Sequence, residues 1–416
     1  TSVDEQRFLR GTSVDFGWKG ISTQIYFSNK QLNANIEFED GEEVVKSIDR
    51  TGLQRTELEI SKNDQLSERI YGSYTQWNKG STHFGVHWTK MEYDLPYQPK
   101  IQPYNQIDFR GKELTTSSFD YSHSFKNVSF FGELAFHPNR KVRALVQGLM
   151  LALDKKLSTS ILVRDYDLAY SAVYSSPYAE GHRPQNERGI YWGMEWKLPN
   201  RWTLKSYVDH FMFPWLKYGV SGPSHGNENL VQLQKKLSRY SSFYVRYKYQ
   251  NKPKNDRFEG PNVHSLENVV QQNIRLHLSL KLSEDWTCKT RIEGTKVERR
   301  SSKTEHGFLM YQDLKYKSKN SPLEASVRYA LFQTDSYDSR IYAYESNVLN
   351  VFSIPAFYHH GSRLYLLLRY DFMKRLSLWG RIAQTVYSNL DRIGSGNEEI
   401  NGPQKTTWNL ELRIRL

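Results

Sequence analysis

The sequence has almost no cysteine and no long hydrophobic run. Its 416 residues contain one cysteine, Cys288, so no disulfide framework can form within the chain. No stretch approaches the roughly 18 consecutive apolar residues of a membrane-spanning helix, and hydrophobic residues make up only 38% of the chain. A disulfide-stapled domain and a helical membrane protein are therefore excluded. A transmembrane β-barrel is not, because its strands alternate lipid-facing and lumen-facing residues and so keep a low average hydrophobicity.

Aromatic residues and positive charge are abundant instead. The chain has 28 Tyr, 20 Phe and 10 Trp, and its formal net charge is +12. Tyr and Trp favour the interface between a membrane and water. In a soluble protein the charge would suggest nucleic acid or acidic surfaces as partners. In a barrel it suggests a cationic lumen or contact with anionic lipid headgroups.

Polar and apolar residues alternate along many segments. In residues 405–416 (KTTWNLELRIRL), Trp408, Leu410, Leu412, Ile414 and Leu416 fall on one face and mostly charged residues fall on the other. A strand repeats every two residues, and roughly 9 to 11 residues suffice for a tilted strand to cross a bilayer. The same alternation recurs in residues 190–198, 243–250, 270–282 and 362–372. Helical spacing is nearly absent, with residues 56–65 the best exception, so the sequence predicts an all-β chain.

Short and long connectors alternate between these strands. Tight turns, the first at residues 28–30, alternate mostly with longer loops, at residues 39–65, 94–112, 167–186, 214–226, 251–266, 335–360 and 389–403. Shorter connectors on the loop side are predicted near Lys19, Pro138 and Ser301. Outer-membrane barrels have short periplasmic turns and long extracellular loops. The sequence therefore predicts a transmembrane antiparallel up-and-down β-barrel in the bacterial outer membrane. We expect about 20 strands in a single domain spanning residues 11–416, preceded by a periplasmic tail at residues 1–10, with both termini on the short-turn side. Residues 340–357 are the uncertain region, since they could form an extra hairpin above the membrane.

The charged face of each strand must point into the lumen. An Arg or Lys facing lipid at mid-membrane would cost about 2 to 4 kcal/mol. The predicted lumen-facing basic residues are Arg246, Lys248, Arg275, Lys281, Lys289, Arg291, Arg328, Arg363, Arg369, Arg413 and Arg415. The predicted membrane-interface aromatic residues are Trp192, Trp196, Trp202, Trp286, Phe372 and Trp408. Two roles remain open for the basic residues: cross-strand ion pairs that stiffen the wall, or a passage that favours anions. Side chains alone cannot fill a barrel of this size, so the lumen must hold water, folded-in loops or a plug.

No motif for catalysis or cofactor binding is present. The sequence has no G-x-S-x-G elbow, Walker A loop, H-E-x-x-H helix or paired-cysteine motif, so we expect no enzyme activity and no cofactor. His359 and His360 are adjacent and would point to opposite sides of an extended backbone, which favours ordinary loop residues over a metal site. Asp335, Asp338 and Glu345 could collect a calcium ion, but hydrated loop charges are the favoured interpretation.

Several segments resemble one family of Bacteroidota outer-membrane proteins. These segments are residues 52–57 (GLQRTE), 186–196 (NERGIYWGMEW), 213–216 (FPWL) and especially 330–355 (ALFQTDSYDSRIYAYESNVLNVFSIP), with Gly394-Ser395-Gly396 near the end. They resemble the C-terminal barrel regions of helix-hairpin-helix domain-containing proteins. In that family short helix-hairpin-helix repeats commonly precede the barrel, and such repeats are not found in these 416 residues. The resemblance implies the fold and the outer-membrane location and assigns no catalytic residue.

Two functional hypotheses follow. The first is a channel, or an accessory subunit of an envelope transport or secretion complex. Its partners would be outer-membrane lipid and lipopolysaccharide together with other outer-membrane proteins or lipoproteins. The alternative is a barrel for nucleic-acid binding or uptake, suggested by the net charge and by the family's helix-hairpin-helix repeats.

Overall fold

The protein is built almost entirely of β-strands. The computed structural model describes residues 8–52, 54–256, 265–373 and 375–415. The strands are β1 (Gly11–Trp18), β2 (Ile21–Glu39), β3 (Glu42–Asp49), β4 (Leu66–Lys79), β5 (Thr82–Tyr97), β6 (Gly111–Phe125), β7 (Val128–Phe136), β8 (Arg143–Ala152), β9 (Leu157–Tyr166), β10 (Glu187–Leu198), β11 (Trp202–Phe213), β12 (Ser224–Lys236), β13 (Ser242–Asn255), β14 (Leu266–Lys281), β15 (Trp286–Arg299), β16 (Ser302–Lys317), β17 (Leu323–Thr334), β18 (Ile341–Tyr342), β19 (Ala356–Phe357), β20 (His360–Met373), β21 (Leu376–Tyr387), β22 (Arg392–Ile393), β23 (Ile400–Asn401) and β24 (Gln404–Ile414). The helices are α1 (Glu57–Ser61) and the short 3-10 turns Pro103–Asn105, Pro199–Arg201 and Gly396–Glu398. None of the helices among these residues is both long enough and apolar enough to cross a bilayer.

The strands form an antiparallel up-and-down sheet of 20 strands, which confirms the predicted fold class. Each wall strand pairs with the next one along the chain, from β1 with β2 to β21 with β24. The exception is β3. It pairs with residues 33–39 of β2, at the long-loop end, while residues 21–32 of β2 pair with β4. The pairs β18–β19 and β22–β23 are separate small sheets within loops. Residues 340–357 therefore contribute a loop hairpin and no additional wall strand.

The two ends of the barrel differ as the sequence predicts. Tight turns such as residues 126–127 and 153–156 lie at one end, and the long loops lie at the other. The first turn is a correction: β2 runs without a break from Ile21 to Glu39, so residues 28–30 lie within a strand and the tight turn at the short-turn end is Lys19-Gly20. The position of the N-terminal segment differs from the prediction. The first residue of β1, Gly11, pairs with Ser28, and the backbone N–H of Asn29 donates to the Arg10 carbonyl, so Phe8–Arg10 lie at the long-loop end. The predicted tail at the short-turn end is therefore wrong for Phe8–Arg10, because β1 begins at the long-loop end and runs in the same direction as β24. Residues 1–7 of the predicted tail lie outside the described residues.

The outward faces of the strands form an apolar band. Along β21 and β24, Ile382, Leu410 and Leu412 are 51%, 67% and 57% exposed and are directed away from the lumen, whereas Arg381 on the opposite face is buried. The predicted outward position of Leu416 lies outside the described residues. Because the outward positions near the middle of these strands are apolar and the charged ones face inward, the outer surface suits the hydrocarbon of a bilayer.

The sheet has one unpaired seam. Within the described residues no ladder joins β1 to β24, although every other pair of neighbouring wall strands has one. The seam arises from strand direction: without β3 the meander has nineteen strands, so β1 and β24 both run from the long-loop end to the short-turn end. At the mouth, the Arg55 guanidinium bonds to the Glu398 carboxylate, which joins the loop before β4 to the loop before β24. The two edges of the sheet are therefore on the same side of the barrel.

Candidate functional site: a lumen closed by two loops

The connection between β17 and β20 folds into the lumen. Its short strands β18 and β19 place Ile341, Ala343 and Phe357 in a buried apolar cluster with inward-facing residues of β16 and β17, among them Leu309 and Phe332. Inward-facing Gly307 makes this approach feasible, since a Cβ there would lie 2.2 Å from the Ser339 carbonyl oxygen. We call residues 335–359 the β17–β20 loop. Its buried residues pack against the inner wall, while Tyr337 and Phe352 remain exposed.

Arginines near the middle of three wall strands hold the backbone of the β17–β20 loop. The guanidinium of Arg291 donates to the Tyr342 carbonyl at 2.9 Å, and that of Arg328 donates to the Tyr344 carbonyl at 2.6 Å. The Nε of Arg381 donates to the Ser346 carbonyl at 3.1 Å. Each arginine lies near the middle of its strand, so the loop reaches well down into the lumen.

The Glu345 carboxylate completes this attachment. It is fully buried and accepts from Arg363 Nε at 2.8 Å and from Arg381 Nη2 at 2.5 Å. A buried carboxylate is tolerated only when cations and hydrogen bonds compensate for its lost hydration. We call Glu345, Arg363 and Arg381 the Glu345 cluster. It fixes the tip of the loop to β20 and β21, and it assigns Glu345 to an ion-pair cluster, neither a calcium site nor a hydrated loop charge.

A second loop enters from the opposite part of the wall. In the β9–β10 loop (residues 167–186), the amides of Glu180 and Gly181 donate to the two carboxylate oxygens of Glu187 at 2.8 and 2.9 Å. Glu187 in turn accepts from Arg164 Nε at 2.6 Å, and Arg164 Nη1 donates to Asp209 at 2.8 Å. Arg164 and Glu187 are both buried, so one charge cluster on β9, β10 and β11 fixes the path of this loop.

Two further contacts hold the root and the middle of the β9–β10 loop. The Tyr174 hydroxyl donates to the Glu68 carboxylate, which also pairs with Lys30 at 3.7 Å. The Ser171 amide donates to His137 Nε2 at 3.1 Å, while His137 Nδ1 contacts the Thr115 carbonyl at 2.8 Å. These distances require a neutral imidazole with its proton on Nδ1. Burial lowers the pKa of His137, which lies just beyond the end of β7, and so favours that neutral form.

Most of the predicted lumen-facing basic residues lie in ion pairs. Arg275 and Arg291 share Glu293, Arg328 pairs with Asp313, and Lys248 pairs with Glu228. The structure places the remaining members as follows: Arg246 donates to Gln232, Arg363 joins the Glu345 cluster, Arg369 pairs with Asp371, Arg413 lies over the Trp379 ring, and Lys281, Lys289 and Arg415 are exposed. From β13 to β24, most of the predicted inward-facing basic residues are therefore paired with carboxylates of the same chain.

The predicted aromatic residues divide into two groups. Trp196, Trp202, Trp286 and Phe372 lie near the short-turn ends of their strands, as an interfacial ring requires. Trp192 and Trp408 are exposed and outward-facing but lie near the middle of β10 and β24, so their assignment to the interface is wrong. The alternation of polar and apolar residues correctly predicts which face of the sheet a residue lies on. Its position along the barrel axis depends on where the strand begins and ends, which alternation does not specify.

Several further aromatic residues at the short-turn end were not among the predicted interface residues. Trp18 and Phe125 are exposed there, and Trp77 stacks on Phe84 with ring centroids 5.9 Å apart. Their signal was present in the sequence, since each lies within a few residues of a tight turn. Within the lumen, Arg381 was also missed, although its outward neighbour Ile382 marks it as inward-facing. Among the described residues no group of three or more His, Cys, Asp or Glu side chains is placed to hold a metal ion.

Comparisons with known proteins identify the fold. No protein-family model and no curated protein matches the chain. Among solved structures, it is similar to a chain of the FpvAI–pyocin S2 complex, with a TM-score of 0.51 and 11% identity, covering 97% of this chain and 65% of that one. It is also similar to the FrpB iron transporter from Neisseria meningitidis (TM-score 0.47, 10% identity, 97% of this chain and 72% of that one). A third is the outer membrane channel DcaP of Acinetobacter baumannii (TM-score 0.39, 10% identity, 85% and 98%).

The chain spans less than two thirds of the length of the first of these neighbours. The similarity to that neighbour concerns the fold alone. In this chain the fold is an up-and-down sheet with an apolar outer band and charged residues on its inner face. The protein is an integral β-barrel protein of the outer membrane.

Proposed function

We propose that the protein is a solute channel of the outer membrane whose path is narrowed by the β17–β20 and β9–β10 loops. The observation that carries this proposal is the set of bonds from Arg291, Arg328 and Arg381, in the middle of the wall, to loop carbonyls. A loop held at that depth sets the size of whatever passes through the lumen. The ion-paired inner wall supports passage of hydrated solutes.

Conductance in planar bilayers tests the channel. Glu345→Gln removes the negative charge between buried Arg381 and half-buried Arg363. Breaking such a pair costs about 3 to 5 kcal/mol, so we expect the loop tip to detach and the unitary conductance to rise at least about twofold. Glu195→Gln is the matched control, because Glu195 pairs with Lys205 in the lumen and contacts neither loop. Absence of current from both the native chain and Glu345→Gln would contradict the channel.

The nucleic-acid alternative draws little support from the lumen. Phosphate binding requires Lys and Arg side chains that are free to replace counterions. Arg275, Arg291, Arg328 and Arg363 instead face carboxylates of the same chain at the inner wall.

The seam favours a second candidate, an accessory subunit of an envelope complex. An open sheet edge leaves backbone N–H and C=O groups unpaired, and each costs several kcal/mol in hydrocarbon. Because β1 and β24 run in the same direction, one strand running the other way would pair antiparallel with both edges. In this second candidate, that strand belongs to another polypeptide of the complex.

Disulfide formation between introduced cysteines distinguishes direct pairing of β1 with β24 from pairing of both edges with an intervening strand. In a Cys288→Ser background, Asp15→Cys on β1 is combined in turn with Thr407→Cys, Asn409→Cys or Glu411→Cys on the inner face of β24. The subunit hypothesis predicts no disulfide in protein purified from its native membrane with its partner. Efficient disulfide formation in the isolated chain would show that β1 pairs with β24 directly, against this candidate.

A further inference from the structure

A cavity of about 440 Å³ lies between the inner wall and the β9–β10 loop. Its walls come from β2 and from β4 to β9, and its roof is the loop segment 172–178. The volume lies in the range of about 300 to 1,000 Å³ that is typical of small-molecule sites. The roof is held by the Tyr174–Glu68 bond and by the Tyr166 hydroxyl, which donates to the Tyr178 carbonyl at 2.9 Å. The cavity is therefore part of the fold and not a gap between mobile loops.

Among the described residues that line this cavity, Glu133 is the one with a formal charge. Glu133 is exposed to the cavity, and within the described residues it has no hydrogen-bond or ion-pair partner. The acidic residues around it do have partners: Glu68 pairs with Lys30, Glu187 with Arg164, and Asp120 contacts His83 Nε2 at 2.7 Å. By strand register, the inward positions of β4, β5, β7 and β8 carry no lysine or arginine. The inward cations of two other wall strands, Lys30 on β2 and Arg164 on β9, are paired with Glu68 and Glu187. The fold thus leaves one carboxylate here without a cation.

Aromatic rings make up much of the remaining lining. Tyr26, Tyr166, Tyr170 and Tyr178 contribute, together with His87. The Tyr26 hydroxyl is engaged by His87 at 2.8 Å and by Thr89 at 2.9 Å, and that of Tyr166 is bonded to the loop. With these two hydroxyls occupied, the Tyr26 and Tyr166 rings offer mainly their faces and edges to a ligand. One face of the Tyr170 ring is stacked on His137, with centroids 4.8 Å apart, which leaves its other face and its edge. Aromatic faces attract cations, and quaternary ammonium groups are bound by such cages.

We propose that this cavity binds a small organic ammonium ion, with the cationic nitrogen beside Glu133 and its alkyl groups against the tyrosine rings. Apolar residues such as Leu114 and Val146 accommodate the uncharged part of the ligand. The carboxylate supplies the charge that selects cations over neutral molecules of the same shape. Binding here requires no ion conduction, so the site stands whether or not the barrel is a channel.

Calorimetry on the purified full chain in neutral detergent tests the site. The probes are choline and its uncharged isostere, in which a quaternary carbon replaces the nitrogen. We expect saturable choline binding that is at least about tenfold tighter than binding of the isostere, a factor equivalent to about 1.4 kcal/mol. This comparison uses the unaltered protein, so it does not depend on whether a variant folds.

Variants then locate the bound cation. Glu133→Gln should weaken choline binding about tenfold and remove the preference over the isostere, and Tyr170→Leu should weaken choline binding with less effect on the isostere. Glu195→Gln, a lumen carboxylate outside the cavity, should leave both affinities unchanged. Equal affinity for the two probes, no saturable binding of choline, or unchanged choline binding in Glu133→Gln would each overturn the proposal.

Discussion

Single polar residues, each with a defined partner, hold the loops in the lumen, and His137 is a titratable member of this group. Its pKa is lowered from the ordinary value of 6.5, chiefly by burial. A depressed histidine pKa means that the folded state favours the neutral ring. The resulting stability is fully present above about pH 6.5 and is lost as the pH falls through the lower folded value.

We expect the β9–β10 loop to loosen in that acidic window. Protonated Nε2 can no longer accept from the Ser171 amide, so hydrogen exchange in residues 167–176 should speed up as the pH falls below about 6.5, after correction for intrinsic rates. In His137→Gln this extra step should be absent, since the amide does not titrate. A native profile that matches the variant across the window would rule out His137 as the titrating group.

Gly307 shows how the absence of a side chain positions a loop. A methyl group at Gly307 would lie 2.2 Å from the Ser339 carbonyl oxygen, so Gly307→Ala should push the β17–β20 loop off the wall. Overpacking of this kind costs about 1 to 3 kcal/mol. Thermal unfolding in detergent measures the loss. Gly294→Ala on the neighbouring strand is the control, because its new methyl group would have no neighbour nearer than 3.7 Å; equal effects of the two changes would contradict the steric explanation.

At the scale of strands and loops, the sequence determines the wall and leaves the loop attachments unspecified. Alternation in residues 243–250 and 362–372 predicts β13 and β20, and residues 56–65 contain α1. The attachment of the β17–β20 loop could not be predicted in this way. Its acceptors are the backbone carbonyls of Tyr342, Tyr344 and Ser346, which have no signature in side-chain pattern, and its carboxylate comes from a loop whose path is set only by the packed wall.

The depth of a strand position in the bilayer should determine what a lipid-facing charge costs. Ile382 faces outward near the middle of β21, and Leu376 faces outward at the short-turn end. Ile382→Lys should destabilise the barrel by about 2 to 4 kcal/mol and Leu376→Lys by about 0 to 1 kcal/mol. Equilibrium unfolding from lipid vesicles in urea measures both. Similar costs at the two positions would show that the outer band is not arranged around the hydrocarbon as proposed.

At the scale of the whole molecule, stability is unequal around the barrel because hydrogen bonding stops at the seam. Strands such as β15 have ladders on both sides, to β14 and β16, whereas β1 and β24 have a ladder on one side only. All of β1 is exposed, and Trp408 on β24 is 75% exposed. Amides open locally with free energies that follow their packing and bonding, so the edge strands are the part of the wall that opens most readily.

Hydrogen exchange on the isolated chain in detergent should therefore show an asymmetric barrel. We expect the amides of β1 and β24 that face the seam to exchange at least about a hundredfold faster than those of β15, a ratio equivalent to about 2.7 kcal/mol. Edge amides that bond to β2 and β21 serve as the internal control, because they lie on the same strands and differ only in having partners. In protein purified from native membranes with a seam strand in place, the seam-facing amides should become as protected as those of β15. Uniform protection in the isolated chain would mean that β1 and β24 close on each other, and the subunit hypothesis would then lose the observation that favours it.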